Sequence, residues 1–239
     1  MALMNMGHVL TRNDVRLARV RREAKAMISA DPALGWSVLG AADLLCADYD
    51  GMRAKFRNAL KFSPAERTHL NYAAALINAG FFSEACEHAS VGEDPFLWKT
   101  KETIECMLYV GRVVHARAMA IRYRYRPYLE HMNPVFLDEL IVSISLLERQ
   151  GIREQAITAA LDIAGEILRT RGLFFVNDDP FRLGGKGTNA PISYVFRVDV
   201  SESESERINE EYQQQIATHI ADFSPVLVPV QFEPSRAVI

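Results

Sequence analysis

Apolar residues recur at three- and four-residue intervals through most of the first 171 positions, the period of helices that bury one face. Val20, Ala24, Met27 and Ile28 make the first such stripe, and Asp31-Pro32 stops that helix. Leu34, Val38, Leu39, Ala42, Leu45 and Cys46 make the second, and Met52, Phe56, Ala59 and Leu60 the third, closed by Pro64. Between these two lies Ala47-Asp48-Tyr49-Asp50-Gly51, a run with turn chemistry. Further breaks between helical stripes fall at Gly80, Gly111 and Gly151. Counted from Ala47, the successive turns are 33, 31 and 40 residues apart, so the last interval carries an insertion. Ala156, Ile157, Ala160, Leu161, Ile163, Ala164 and Ile167 continue the helical pattern to Arg171-Gly172.

Beyond Arg171 the period changes. Leu173-Phe174-Phe175-Val176 is a short apolar run with strand character, and residues 177–189 are loop chemistry rich in Asn, Asp and Gly. Ile192, Tyr194, Phe196, Val198 and Val200 alternate with other residues, which predicts a strand. The run Ser201-Glu-Ser-Glu-Ser-Glu206 contains overlapping capping boxes and opens a helix striped by Ile208, Tyr212, Ile216 and Ile220. Val226, Val228, Val230 and Phe232 alternate again, and Pro229 suits an edge strand because it has no N–H to give a ladder. The tail therefore reads as a β-α-β unit, with parallel strands if both share a sheet. Two strands and one narrow helix cannot bury a core alone. The unit must dock on the helices, recruit Phe174–Val176 as a third strand, or pair with another chain.

Residues 34–64 carry a more specific pattern: Trp36-x-x-Leu39-Gly40, then Phe56, Ala59 and Pro64. This stretch resembles the tetratricopeptide repeat, a helical hairpin of about 34 residues. Met52 stands where that family has a small alanine and Asp43 where it has an aromatic. Parts of the template recur: Tyr72-Ala73, Leu76, Gly80-Phe81 and Ala85; Met107, Gly111, Ala116 and Ala120; Leu147, Gly151 and Ala156. The resemblance implies a mostly α fold, an α-solenoid of about four tetratricopeptide-like hairpins followed by a small α+β (β-α-β) unit. Residues 1–171 would form the repeat domain with a basic N-terminal helix, 172–190 a loop or linker, and 191–239 the C-terminal unit.

Composition narrows the function classes. The net charge of −3 argues against a globally basic nucleic-acid binder, though not against a local patch. The absence of a long apolar run and of a secretory signal pattern leads to the expectation of a cytoplasmic protein that does not engage a membrane. Cys46, Cys86 and Cys106 are odd in number, far apart and set in helical surroundings, so they read as small buried hydrophobes. His115 and His131 lack ligand spacing, and Gly184-Gly185-Lys186-Gly187-Thr188 fails the phosphate-loop spacing. With no nucleophile–base pair either, no catalytic residue, metal or cofactor is expected, and the chain reads as a non-enzyme.

A helical-repeat array leaves a concave surface lined by the first helix of each hairpin. The family's inward positions fall on Arg67, Asn71, Ala74 and Asn78, on Lys101, Glu105 and Tyr109, and on Ile141 and Ser145. Of these, Arg67, Asn71, Asn78, Lys101, Glu105 and Tyr109 are the candidate groove for a partner peptide or protein segment, as in an adaptor or chaperone-like scaffold. An alternative is nucleic-acid binding through Arg12, Arg16 and Arg19 of the basic helix and through Arg122, Tyr123, Arg124, Tyr125 and Arg126. Another is assembly through residues 191–239, by strand addition or as a homodimer.

Overall fold

The computed structural model describes residues 7–89, 100–123, 134–176, 179–185, 188–220 and 223–235. Among the described residues, ten helices and three strands run in order: α1 (Val15–Met27), α2 (Pro32–Leu44), α3 (Tyr49–Phe62), α4 (Glu66–Asn78), α5 (Phe82–Ala89), α6 (Thr100–Tyr109), α7 (Val113–Tyr123), α8 (Pro134–Arg149), α9 (Glu154–Thr170), β1 (Phe181–Gly185), β2 (Thr188–Val198), α10 (Glu202–His219) and β3 (Val230–Pro234). The fold is mostly helical, with a small sheet near the C-terminus.

The starts of the first three helices each have a local cause. Asp14, Asp31 and Asp48 cap α1, α2 and α3 by accepting from the backbone N–H groups of Arg16, Leu34 and Gly51. All four breaks between helical stripes adopt the left-handed conformation: Ala47 at φ 54°, Gly80 at 73°, Gly111 at 80° and Gly151 at 75°. Ala47 is the one non-glycine there among the described residues. In the first hairpin, a Cβ on Gly40 would lie 2.7 Å from the Phe56 ring, so glycine at this position is what lets α2 and α3 approach.

Successive pairs then stack. The first helix of one pair packs on the first helix of the next, α2 on α4 and α4 on α6. Each second helix packs on the following first one, α3 on α4, α5 on α6 and α7 on α8. The pattern breaks at the fourth pair. After the Gly151 turn, α9 leaves α8 and packs instead on α5 and α10, while α8 lies against α7 and the β1–β2 hairpin. A linear stack of four equal hairpins would not bring its last helix onto the second pair, so the expectation of a fourth closed hairpin fails here.

The sheet has the order β1-β2-β3, with β1 antiparallel and β3 parallel to β2. The parallel β2-α10-β3 crossover is the predicted β-α-β unit. The segment expected to be a linker is where the reading needs correcting. Residues 181–185 are β1, and Gly185 pairs with Thr188, so β1 and β2 form a β-hairpin in place of part of the expected loop or linker. The apolar run before it also touches the sheet, through an isolated bridge between Phe175 and Val198 and a Val176 N–H donated to the Arg197 carbonyl.

The sheet and the helices share one hydrophobic core, running from Leu44 in α2 to Phe232 in β3. Tyr194 of β2 is fully buried, and its hydroxyl donates to the Leu108 carbonyl of α6 at 2.7 Å. Phe196 meets Phe82 of α5 with ring centroids 5.9 Å apart. The C-terminal unit thus obtains its core by docking on the helices.

Candidate functional site

Of the six predicted groove residues, Arg67 and Asn71 project from α4 one turn apart and are exposed, as is Lys101 on the neighbouring α6. The two helices are tied near their N-termini by the Thr103 hydroxyl, which donates to the Glu66 carboxylate at 3.3 Å. Lys101 pairs with Glu105 one turn on, at 3.6 Å. Burial raises the Glu105 pKa, and Lys101 only partly opposes this.

The C-terminal ends of the same two helices are not open. Asn78 turns its amide back to the Ala74 carbonyl at 2.7 Å and faces Leu44, Leu45 and Phe174 across a small gap. Tyr109 is half-buried beside the segment leading into β1, with the Asp179 carboxylate next to its hydroxyl. Arg182 holds that aspartate from the other side, with N···O 3.1 Å to the carboxylate and 2.6 Å to the Asp179 carbonyl. Burial pushes the Tyr109 hydroxyl well above the usual tyrosine range, reinforced by the negative charges of Asp179 and Glu105. Burial likewise raises Asp179, against the pull of Arg182. Part of the predicted groove is therefore already filled by the chain's own residues 179–182.

Neither Ile141 nor Ser145 extends the exposed row of Arg67, Asn71 and Lys101. Ser145 accepts from Arg117 of α7 at 3.0 Å and donates to the Ile141 carbonyl, and Ile141 packs against the core.

The basic helix α1 carries its charge largely in pairs. Arg12 meets Asp48 at 3.0 Å, Arg16 meets Asp14 at 2.6 Å, and Arg19 meets Glu23 at 2.8 Å. The half-buried Arg21 is shared between Asp43, at 3.1 Å, and the Cys46 sulfur, at 3.5 Å. Arg122 and Tyr123 end α7, and Arg122 is exposed; Arg124, Tyr125 and Arg126 lie outside the described residues, as does His131. At the other proposed surface, the Asn209 side chain occupies the outer edge of β3. Its oxygen accepts from the Phe232 N–H and its nitrogen donates to the Phe232 carbonyl, both at 2.9 Å. A strand adding there would have to displace this bidentate contact.

Comparison with family models, with curated proteins and with solved structures gives no match. The chemistry of the site therefore rests on its geometry. Cys86 and Cys106 are buried, which raises their thiols to about 11 and about 12 and leaves them unreactive near neutrality. Cys46 is only partly buried. Among the described residues, no three or more His, Cys, Asp and Glu side chains gather to hold a metal ion, and no helix is long and apolar enough to cross a membrane. His115 Nδ1 lies 2.8 Å from the buried Glu154 carboxylate, within hydrogen-bond distance. An open cleft of about 490 Å³ lies between α8 and the β1–β2 hairpin, lined by Asp138, Glu139, Val142, Ser143, Leu183 and Pro191 among others.

Sequence reasoning missed Asp179 and Arg182. The signal was present: Phe181-Arg182-Leu183 alternates before two glycines, and the alternating run from Ile192 follows, which together spell a hairpin.

Proposed function

We propose that this protein is an interaction scaffold, an α-solenoid of tetratricopeptide-like hairpins that holds an acidic segment of a partner protein along α4 and α6. One observation carries the reading. The row of candidate groove residues already receives a carboxylate from an extended piece of chain, Asp179 against Tyr109. One end of the row is closed by that contact. The other end presents the exposed Arg67, Asn71 and Lys101, which offer cationic and amide donors to a second acidic segment. The covered end and the open end belong to one surface, and the same chemistry serves both.

The paired arginines of α1 favour this reading over nucleic-acid binding, since each carboxylate partner competes with phosphate for the same guanidinium. The occupied β3 edge likewise favours it over strand addition.

The test compares proteins that co-purify with the full chain and with the Arg67→Glu/Lys101→Glu double variant. An acidic peptide from the captured partner is then titrated against both. Reversing two charge-assisted contacts is expected to weaken binding by about tenfold or more. Equal capture and equal affinity would overturn the reading.

A further inference from the structure

His69 of α4 and His88 of α5 approach across the second hairpin with Nδ1 3.1 Å from Nδ1. Both rings are half-buried, so each keeps a side toward solvent. Two imidazole lone pairs cannot face each other at that separation without something between them, and the choices are a proton or a cation.

The geometry is held by residues from three helices. His88 lies over Tyr72 with ring centroids 4.3 Å apart, and Tyr72 is stacked on Phe56 of α3 at 4.9 Å. The Tyr72 hydroxyl donates to Glu84 of α5 at 3.3 Å. Glu84 in turn takes the forked guanidinium of Arg53 from α3, at 2.9 and 2.7 Å. His88 is preorganised by this frame, and His69 meets it from α4.

We propose that His69 and His88 form a two-histidine site for a divalent transition metal ion such as zinc or nickel, bound through both Nδ1 atoms with water in the remaining positions. Metal–imidazole bonds of about 2.0–2.1 Å place two ligand nitrogens about 2.9 Å apart at a right angle and about 3.3 Å apart at a tetrahedral angle. The observed 3.1 Å falls between these. Imidazole nitrogen selects ions of this class, whereas magnesium and calcium require oxygen ligands. On binding, the ring that carried its proton on Nδ1 holds it on Nε2 instead, so both Nδ1 lone pairs go to the metal and nothing is oxidised or reduced. The site uses none of the groove residues and stands independently of the scaffold reading.

The test uses the full chain without a histidine tag, since the ion binds the folded state and raises its melting temperature. At a free zinc or nickel concentration about five times the dissociation constant, Tm is expected to rise by about 2–4 °C. Magnesium at the same concentration should leave it unchanged, and the rise should vanish in His69→Ala, which leaves the Tyr72–His88 stack in place. In the unsubstituted protein, the imidazole nitrogen NMR signals of His69 and His88 should move together on adding zinc. A rise of equal size in His69→Ala, no rise with either ion, or zinc-insensitive signals from these two rings would overturn the proposal.

Discussion

The four turns between paired helices share a left-handed residue and differ in what supports them. The outer two, at Ala47 and Gly151, are supported locally or not at all. Asp48 caps α3 from within its own turn. A Cβ on Gly151 would meet nothing within 4 Å. The inner two, at Gly80 and Gly111, are both braced by α9, a helix more than 40 residues further along the chain. The residues before α5 and α7 are Phe81 and Arg112, and neither side chain can accept from a helix N-terminus. The missing acceptors come from α9. Asp162 takes the Ser83 N–H at 3.0 Å, and Glu154 takes the Val114 N–H at 3.2 Å. These donors stand three residues after Gly80 and Gly111 respectively, the same place in each turn.

The preceding helix ends are met in parallel fashion. Arg169 donates to the Gly80 carbonyl, and to that of Ala79 at 3.3 Å, at the end of α4. Thr158 donates to the Val110 carbonyl at 2.8 Å, at the end of α6. Arg169 also lies over the Phe81 ring, 4.0 Å from its centroid. A helix of 17 residues spans about 25 Å, enough to cross two adjacent hairpins. The array is thus clamped from the side as well as stacked end to end. That is why α9 packs on α5 and α10 rather than closing on α8.

The comparison breaks most visibly at Gly165. A Cβ there would sit 2.0 Å from the Gly80 carbonyl oxygen, with backbone on both sides and no flexible side chain to yield. Gly165→Ala is expected to cost about 3 kcal/mol or more in urea unfolding. A cost below about 1 kcal/mol would mean that α9 can stand off and that the brace is not tight.

Next in size are the two remote caps. Glu154 is only 7% exposed and also meets Arg112 at 3.0 Å and His115 at 2.8 Å. Its loss leaves an uncapped helix end beside an orphaned guanidinium and an imidazole without its acceptor. Glu154→Ala is expected to cost about 2 kcal/mol, discounted because both partners are partly solvated. Asp162→Ala, with a single backbone contact on a more open side chain, should cost about 1 kcal/mol. Both are read from the shift in denaturation midpoint. Equal costs would show that the side-chain contacts at Glu154 add nothing to capping.

The sequence made the turns legible and hid the brace, for one physical reason. A left-handed position needs a glycine or a tolerant turn residue at one spot, and such punctuation is visible in isolation. Asp162 and Glu154 act across 79 and 40 residues, and in sequence each is simply a carboxylate on an amphipathic helix. The same distinction governs the candidate site. Arg67, Asn71 and Lys101 are exposed where the helical period puts them, because their neighbours lie one turn away on the same helix. Asn78 faces Phe174 and Tyr109 faces Asp179, two residues brought in as the sheet docks on α6 through Tyr194. Nothing local to α4 or α6 encodes that approach.

The smallest effects come from the two outer turns, where opposite substitutions sharpen the contrast. At Gly151 there is room for a side chain, so only the backbone opposes Gly151→Ala, at about 1 kcal/mol. At Ala47 an L-residue already sits at φ 54° and bears that penalty in the native protein. Ala47→Gly removes it, while the freer glycine gives back about 0.4–1 kcal/mol through the unfolded chain. A net stabilisation of about 0.5 kcal/mol is expected, measured as a rise in denaturation midpoint at unchanged slope. The sign is informative because Asp48 caps α3 whether or not residue 47 has a side chain. If Ala47→Gly instead destabilised by 1 kcal/mol, the methyl group would be part of the packing, and the first turn would belong with the braced pair rather than with Gly151.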